Sequence, residues 1–190
     1  MSCAGDIRAH IGSCGDEVFS TSEFLNYGLR NAVDQALFRL VKQGLIERVA
    51  RGVFRRPCRI APEVIAVARC KASAFKKRIS TDGFDLAREF GLIDEGHPLP
   101  TFATCGPNSS FVVGVETVVF KAVSRRRMAL PDDAVGRLLC ALWAVGPNGC
   151  AARQIWQVAQ RFEKADILRL LNSAHLVPGW LNSSISAAFA

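Results

Sequence analysis

The stretch Ser20-Thr-Ser-Glu-Phe-Leu-Asn-Tyr-Gly-Leu-Arg-Asn-Ala-Val-Asp-Gln-Ala-Leu-Phe-Arg-Leu-Val-Lys-Gln-Gly44, continued by Leu45-Ile-Glu-Arg-Val-Ala-Arg-Gly-Val-Phe-Arg-Arg-Pro-Cys58, decides how the N-terminal part of the chain is read. Ser20 is a cap residue and Glu23, three positions on, can reach back to it, so a short helix starts here. Asn26-Tyr27-Gly28 ends that helix in a turn. From Arg30 to Gln43, Val33, Ala36, Leu37, Leu40 and Val41 recur at helical spacing and form one apolar stripe. Asn31, Gln35, Phe38, Arg39 and Lys42 fall on the opposite face, and Gly44 suits the C-terminal cap. Leu45 to Val49 alternates as a strand does, Ala50-Arg51-Gly52 is a turn, and Val53-Phe54-Arg55 returns until Pro57 stops it. Helix, turn, helix and two-stranded hairpin together predict a winged helix-turn-helix over residues 15–58.

A helix that reads DNA packs one face on a small core and offers the other to the major groove. The Arg30–Gln43 helix has this division. Asn31 and Gln35 match adenine edges, Arg39 matches guanine or a phosphate, and Lys42 suits a phosphate. From residue 30 to 59 the basic side chains are Arg30, Arg39, Lys42, Arg48, Arg51, Arg55, Arg56 and Arg59, against Asp34 and Glu47 alone. A wing tipped by Arg51 and backed by Arg55 and Arg56 is expected to lie on the DNA backbone or minor groove, and Arg48 is counted among the DNA contacts. Phe38 shares the outward face, where it could meet a thymine methyl or pack on a second domain. The competing class is a protein-interaction module, in which the same winged helix docks on another protein.

The rest of the chain agrees with such a reading without demanding it. Its 190 residues allow one large domain or two small ones, and 49% hydrophobic with 22% charged residues is ordinary for a globular chain. A formal net charge of +7 suits a polyanionic partner. Seven cysteines, Cys3, Cys14, Cys58, Cys70, Cys105, Cys140 and Cys150, include no C-x-x-C pair. They are expected to be reduced and mostly buried rather than zinc ligands. No signal peptide and no apolar run long enough to span a bilayer is visible, since the longest run is Leu138 to Val145. A cytoplasmic location follows as the expectation.

Upstream, residues 4–13 form a short amphipathic helix around Ile7 and Ile11, broken by Gly12, Gly15 and Asp16, and Val18-Phe19 form a short strand. Downstream, Pro62 opens a helix at Glu63–Lys71. A strand at Phe75–Ser80, a helix at Asp82–Phe90, a loop at Gly91–Pro100 and strands at 101–104, 111–113 and 115–123 follow. Val112 to Val119 is expected to be buried. Asp132 and Asp133 cap a strong helix, Ala134–Val145, and the remainder is helical in two or three pieces broken at Pro178-Gly179. The fold class is therefore α+β: residues 1–60 a winged helix-turn-helix DNA-binding domain, residues 61–190 an α+β region with a small sheet and closing helices.

Catalytic patterns are missing from the sequence: no G-x-x-x-x-G-K-[ST], no G-x-G-x-x-G, no G-x-S-x-G and no H-E-x-x-H. Glu116 and Lys121 invite a nuclease reading, but their spacing does not set the lysine beside the carboxylate on one strand face. Trp143, Trp156 and Trp180 are expected in the core, and His10, His97 and His175 have no shared local partner. The triplets Lys76-Lys77-Arg78 and Arg125-Arg126-Arg127 either extend a DNA track or are solvated charges. No enzyme activity, cofactor or metal is expected.

The runs Val18–Leu25 and Ala32–Phe54 resemble the N-terminal domain of AbiEi-type antitoxins of type IV toxin–antitoxin systems, which are linked to abortive phage infection. A looser similarity continues through Pro100–Gly106 and Val115–Arg125 to the Ala134–Val145 helix. The resemblance implies a repressor that binds inverted repeats in the double-stranded DNA upstream of its own operon. It also implies that the C-terminal region counters a nucleotidyltransferase-like toxin encoded next door, with no stable complex between the two.

Overall fold

The computed structural model describes residues 3–13, 18–149 and 151–190. Gly15 and Asp16, expected to break the first helix, and the thiols Cys14 and Cys150 lie outside the described residues. The fold is α+β with two small sheets. The chain divides into two compact units, Met1–Ile79 with Ser109–Val119, and Ser80–Asn108 with Phe120–Ala190.

The first unit begins with α1 (Cys3–Ser13), which buries Ile7 and Ile11. Strand β1 (Phe19–Ser20) leads into a 3-10 helix, Thr21–Tyr27. The Glu23 carboxylate accepts a hydrogen bond from the Ser20 backbone N–H at 2.6 Å, so the expected start signal holds, although the turn winds tighter than an α-helix. Helix α2 (Arg30–Lys42) follows and buries Val33, Ala36, Leu37 and Leu40. It stops at Gly44, whose φ of +68° is a left-handed conformation that a side chain resists. Strands β2 (Glu47–Ala50) and β3 (Val53–Arg55) pair antiparallel, Glu47 opposite Arg55 and Arg48 opposite Phe54, with a bulge between Arg48 and Ala50. β3 also pairs with β1, Phe19 opposite Phe54, so the three-stranded order is β1-β3-β2.

These pieces close on one core of Ile7, Phe19, Phe24, Val33, Leu37, Leu40, Ile46 and Phe54. Phe19 meets Phe24 edge-on at 5.5 Å between ring centroids, an arrangement that aromatic quadrupoles favour. Helix α3 (Val64–Ala74) then packs on β1, β3 and the 3-10 helix through Val67, Ala68 and Ala72.

Strands β4 (Ile79–Thr81), β5 (Thr101–Thr104), β6 (Ser109–Val113) and β7 (Glu116–Ala122) make the second sheet, in the order β4-β5-β7-β6. Val112 to Val119 is not one buried strand. Gly114 turns the chain between β6 and β7, and Val112 and Val115 point to solvent, Val115 fully, while Val113 and Val118 are buried. Alternation of faces, not the uniform apolar character of the run, governs which residues go inside.

The second unit is mainly helical. Asp82 caps α4 (Gly83–Glu89), and Asp133 caps α6 (Ala134–Val145) by accepting the Gly136 N–H at 2.9 Å. α4 lies against α6 at Gly83, where an added Cβ would come within 2.6 Å of the Cys140 carbonyl, so only glycine permits this approach. Helices α7 (Ala152–Ala159), α8 (Lys164–Leu171) and α9 (Gly179–Ala188), with a 3-10 turn at Asn172–His175, close a core that includes Leu138, Leu139, Leu142, Ile155, Leu181 and Ile185. The region after Ala151 thus has the three helical pieces expected, the 3-10 turn continuing α8 and the last break falling at Pro178.

Side chains in this unit correct several expectations. Trp143 and Trp180 pack on the core, but Trp156 is 46% exposed. His97 does have a partner: its Nε2 lies 2.9 Å from Oδ1 of the fully buried Asp82. The triplet at 125–127 is in part solvated, with Arg125 and Arg126 exposed, but it is also engaged within the unit. It forms α5 (Arg125–Met128), and Arg126 donates to the carbonyls of His175, Leu176 and Val177 at 2.7–3.2 Å.

The described cysteines are free thiols, and none is fully buried: Cys58 and Cys105 are exposed, and Cys3, Cys70 and Cys140 are half-buried. Among the described residues no helix is long and apolar enough to cross a membrane.

Candidate nucleic-acid interface

The outer face of α2 is built by the same periodicity that buries its inner face. With Val33, Ala36, Leu37 and Leu40 inward, Arg30, Asn31, Asp34, Gln35, Phe38, Arg39 and Lys42 must point to solvent, and all seven are exposed. The side chains of Asn31, Gln35 and Arg39 make no hydrogen bond among the described residues, which leaves their donors and acceptors available to a ligand. Arg30 is engaged locally: its Nε donates to Asp34 at 3.0 Å, with both side chains more than half exposed. Such a pair contributes little and exchanges readily for another anion. Phe38 is 60% exposed, with the Lys42 ammonium 5.0 Å from its ring centroid.

The β2–β3 hairpin follows α2 directly and carries Arg48 and Arg51 in exposed positions, Arg51 in the tight turn with Gly52. Arg55 differs from its expected place on this basic surface. It is 8% exposed, forms an ion pair with Glu47 across the hairpin, and donates to the carbonyls of Ile60 at 2.7 Å and Cys58 at 3.2 Å. Residues i and i+2 share a strand face, and Arg55 shares its face with buried Val53, so its guanidinium is directed to the chain that leaves the hairpin. Arg56, on the other face, is half-buried.

One basic residue near the hairpin carried no sequence signal. Lys71 of α3 donates to the Arg51 carbonyl at 2.9 Å, and its ammonium sits 5.0 Å from the Phe111 ring centroid. Burial, and then the Arg51 and Arg48 guanidinium groups, hold Lys71 below the usual lysine range. Nothing local in the sequence links position 71 to position 51, because they are twenty positions apart with a helix entry between them.

Of the nine expected contact residues, Asn31, Gln35, Arg39 and Lys42 lie together on α2, with Arg30 beside them, and Arg48 and Arg51 lie on the hairpin. Glu47 is turned to Arg55 and Asp34 to Arg30, so both acids of the 30–59 span are neutralised within it. The surface that remains is cationic, with two neutral amides that read as hydrogen-bonding groups. Among the described residues no three His, Cys, Asp or Glu side chains gather in a way that could hold a metal ion.

The chain belongs to a family of unknown function, DUF6088, whose model matches residues 9–170. No curated protein and no solved structure matches it.

Proposed function

We propose that this member of DUF6088 is a sequence-specific double-stranded-DNA-binding repressor, whose first unit acts as a winged helix-turn-helix. In this reading the 3-10 helix and α2 form the helix-turn-helix, α2 enters the major groove, and β2–β3 is the wing. The observation that carries it is the outer face of α2, where Asn31, Gln35 and Arg39 stand exposed, with no side-chain hydrogen bond among the described residues, over a buried inner face. Asparagine and glutamine pair in bidentate fashion with adenine, and arginine with guanine. Arg48, Arg51 and Lys42 supply phosphate contacts that set register. Arg55 is assigned to bracing the wing, not to DNA.

The resemblance to AbiEi-type antitoxins supports a more specific role: repression of a toxin–antitoxin operon through inverted repeats, and a second unit that counters a nucleotidyltransferase-like toxin without a stable complex. Exposed Phe38 and Leu29, the latter 84% exposed, favour a second reading in which α2 docks on a protein.

Fluorescence anisotropy separates the two. The intact protein is titrated with duplex DNA from its own upstream region and with a scrambled duplex, at several salt concentrations. Tighter binding to its own region, weakening with salt over several phosphates, supports the repressor. Equal weak binding to both, lost at moderate salt, turns the reading to protein docking. For the antitoxin role, co-expression with the neighbouring gene product should restore growth. A toxic neighbour that a well-expressed chain fails to counter rejects that role.

A further inference from the structure

Three cations lie near one another at the β2–β3 hairpin, close enough for the two guanidinium groups to act on the ammonium. Arg48 and Arg51 come from the hairpin itself, and Lys71 comes from α3. The lysine is held by a carbonyl oxygen and a ring face, the Arg51 carbonyl at 2.9 Å and Phe111 with its centroid at 5.0 Å. Neither neutralises its charge. The hairpin's only carboxylate, Glu47, is paired with Arg55. Arg48 directs its Nε toward the Ala50 carbonyl at 3.4 Å, again to a neutral group. A long, flexible side chain is therefore held beside two guanidinium groups, and among the described residues no ion pair neutralises any of the three.

We propose that Lys71, Arg48 and Arg51 form a subsite for one backbone phosphodiester of duplex DNA, which makes α3 a third contact element beside α2 and the hairpin. The proposal rests on the DNA-binding reading of the first unit. The physical case is that the site is organised before the anion arrives. The ammonium has already lost its rotamer freedom to Arg51 and Phe111, so binding costs less ordering. Burial first, and then the Arg51 and Arg48 guanidinium groups, disfavour charged Lys71 in the free protein, and a phosphate among the three relieves the second of these. An ammonium, as a compact point charge with three donors, keeps donors free for a phosphate oxygen after bonding the Arg51 carbonyl.

Salt dependence tests it. Wild type, Lys71→Gln and Lys71→Arg are titrated with the upstream duplex between 50 and 200 mM salt. Glutamine retains a donor for the Arg51 carbonyl but has no charge, whereas arginine keeps the charge. Each phosphate neutralised contributes about −0.9 to the slope of log affinity against log salt, so over this fourfold range Lys71→Gln should lose about 3.5-fold less affinity than wild type. Lys71→Arg should keep the wild-type slope. An unchanged slope in Lys71→Gln, with wild type binding DNA, overturns the subsite and leaves the DNA reading intact. A wild type that binds no duplex in a salt-dependent way removes both.

Discussion

Arg39 and Arg51 lie about a helix and a turn apart in the chain, yet they test different halves of the same reading. Arg39 is placed where a base edge would be, Arg51 where the backbone would be. Arg39→Ala should cost about 1–3 kcal/mol in affinity for the cognate duplex and relax sequence preference, while Arg51→Ala should weaken all duplexes alike. Both should leave the circular dichroism spectrum and thermal midpoint at wild-type values, because both side chains are exposed. If both variants bind as wild type does, the site is misassigned.

Thiol chemistry offers a check at the same level of detail. Burial, and after it the charge of Glu23, push the Cys70 thiol up to about 12. At pH 8 only about one thiol in ten thousand would then be ionised, and the thiolate is the nucleophile. Mass-spectrometric mapping after brief alkylation of the native protein should find exposed Cys58 and Cys105 modified well before Cys70. Labelling of Cys70 as fast as Cys58 would contradict the environment described for it.

Among the elements, α6 starts at a side chain that does two things at once. Asp133 accepts the Gly136 N–H and pairs with Arg169 of α8, and these two contacts, the backbone one foremost, hold its carboxyl below the ordinary aspartate value. A folded-state value below the unfolded one gives stability that is present above the unfolded value and lost as pH falls through the folded one. Asp133→Ala should therefore lower the stability by about 1 kcal/mol at neutral pH, as for other N-cap losses. The gap to wild type in urea midpoints should narrow below about pH 4, where free aspartate takes up its proton. A gap that stays constant to pH 2 would show that the charged carboxylate is not the cap's active form.

Helix α2, the hairpin and α6 were all legible along the chain, because a 3.6-residue stripe, a Gly turn or an acidic cap is a local pattern. Val112 to Val119 was not, because composition and alternation pointed to different answers and only pairing chose between them. The role of Arg126 was equally hidden. A run of three arginines looks the same whether its guanidinium groups meet water, DNA or the carbonyls of residues 175–177, fifty positions away.

Taken as a whole, the chain is interleaved: residues 109–119 belong with residues 1–79, after an intervening segment that belongs elsewhere. A fragment ended at residue 60 would lack α3, whose Val67, Ala68 and Ala72 are buried on β1, β3 and the 3-10 helix, and would expose the apolar surface they cover. Such a fragment should melt without a sharp transition, whereas the intact chain should melt cooperatively. A fragment that unfolds as sharply as the intact chain would mean that α3 adds little to this unit.

Periodicity, caps and turn residues were enough to place α2, the hairpin and α6 and to mark which face of α2 is polar, since each of these depends on neighbours within a few positions. They missed α5 and set the Phe75–Ser80 strand four residues too early, against β4 at Ile79–Thr81. The pairing of the hairpin decided that Arg55 turns inward to Glu47 and two carbonyls, and packing between elements decided that Lys71 joins Arg48 and Arg51 and that His97 meets a buried Asp82. Those outcomes depend on which groups the folded chain brings together. A charged or polar group so placed takes the nearest partner that satisfies it, whatever its own sequence neighbours suggest.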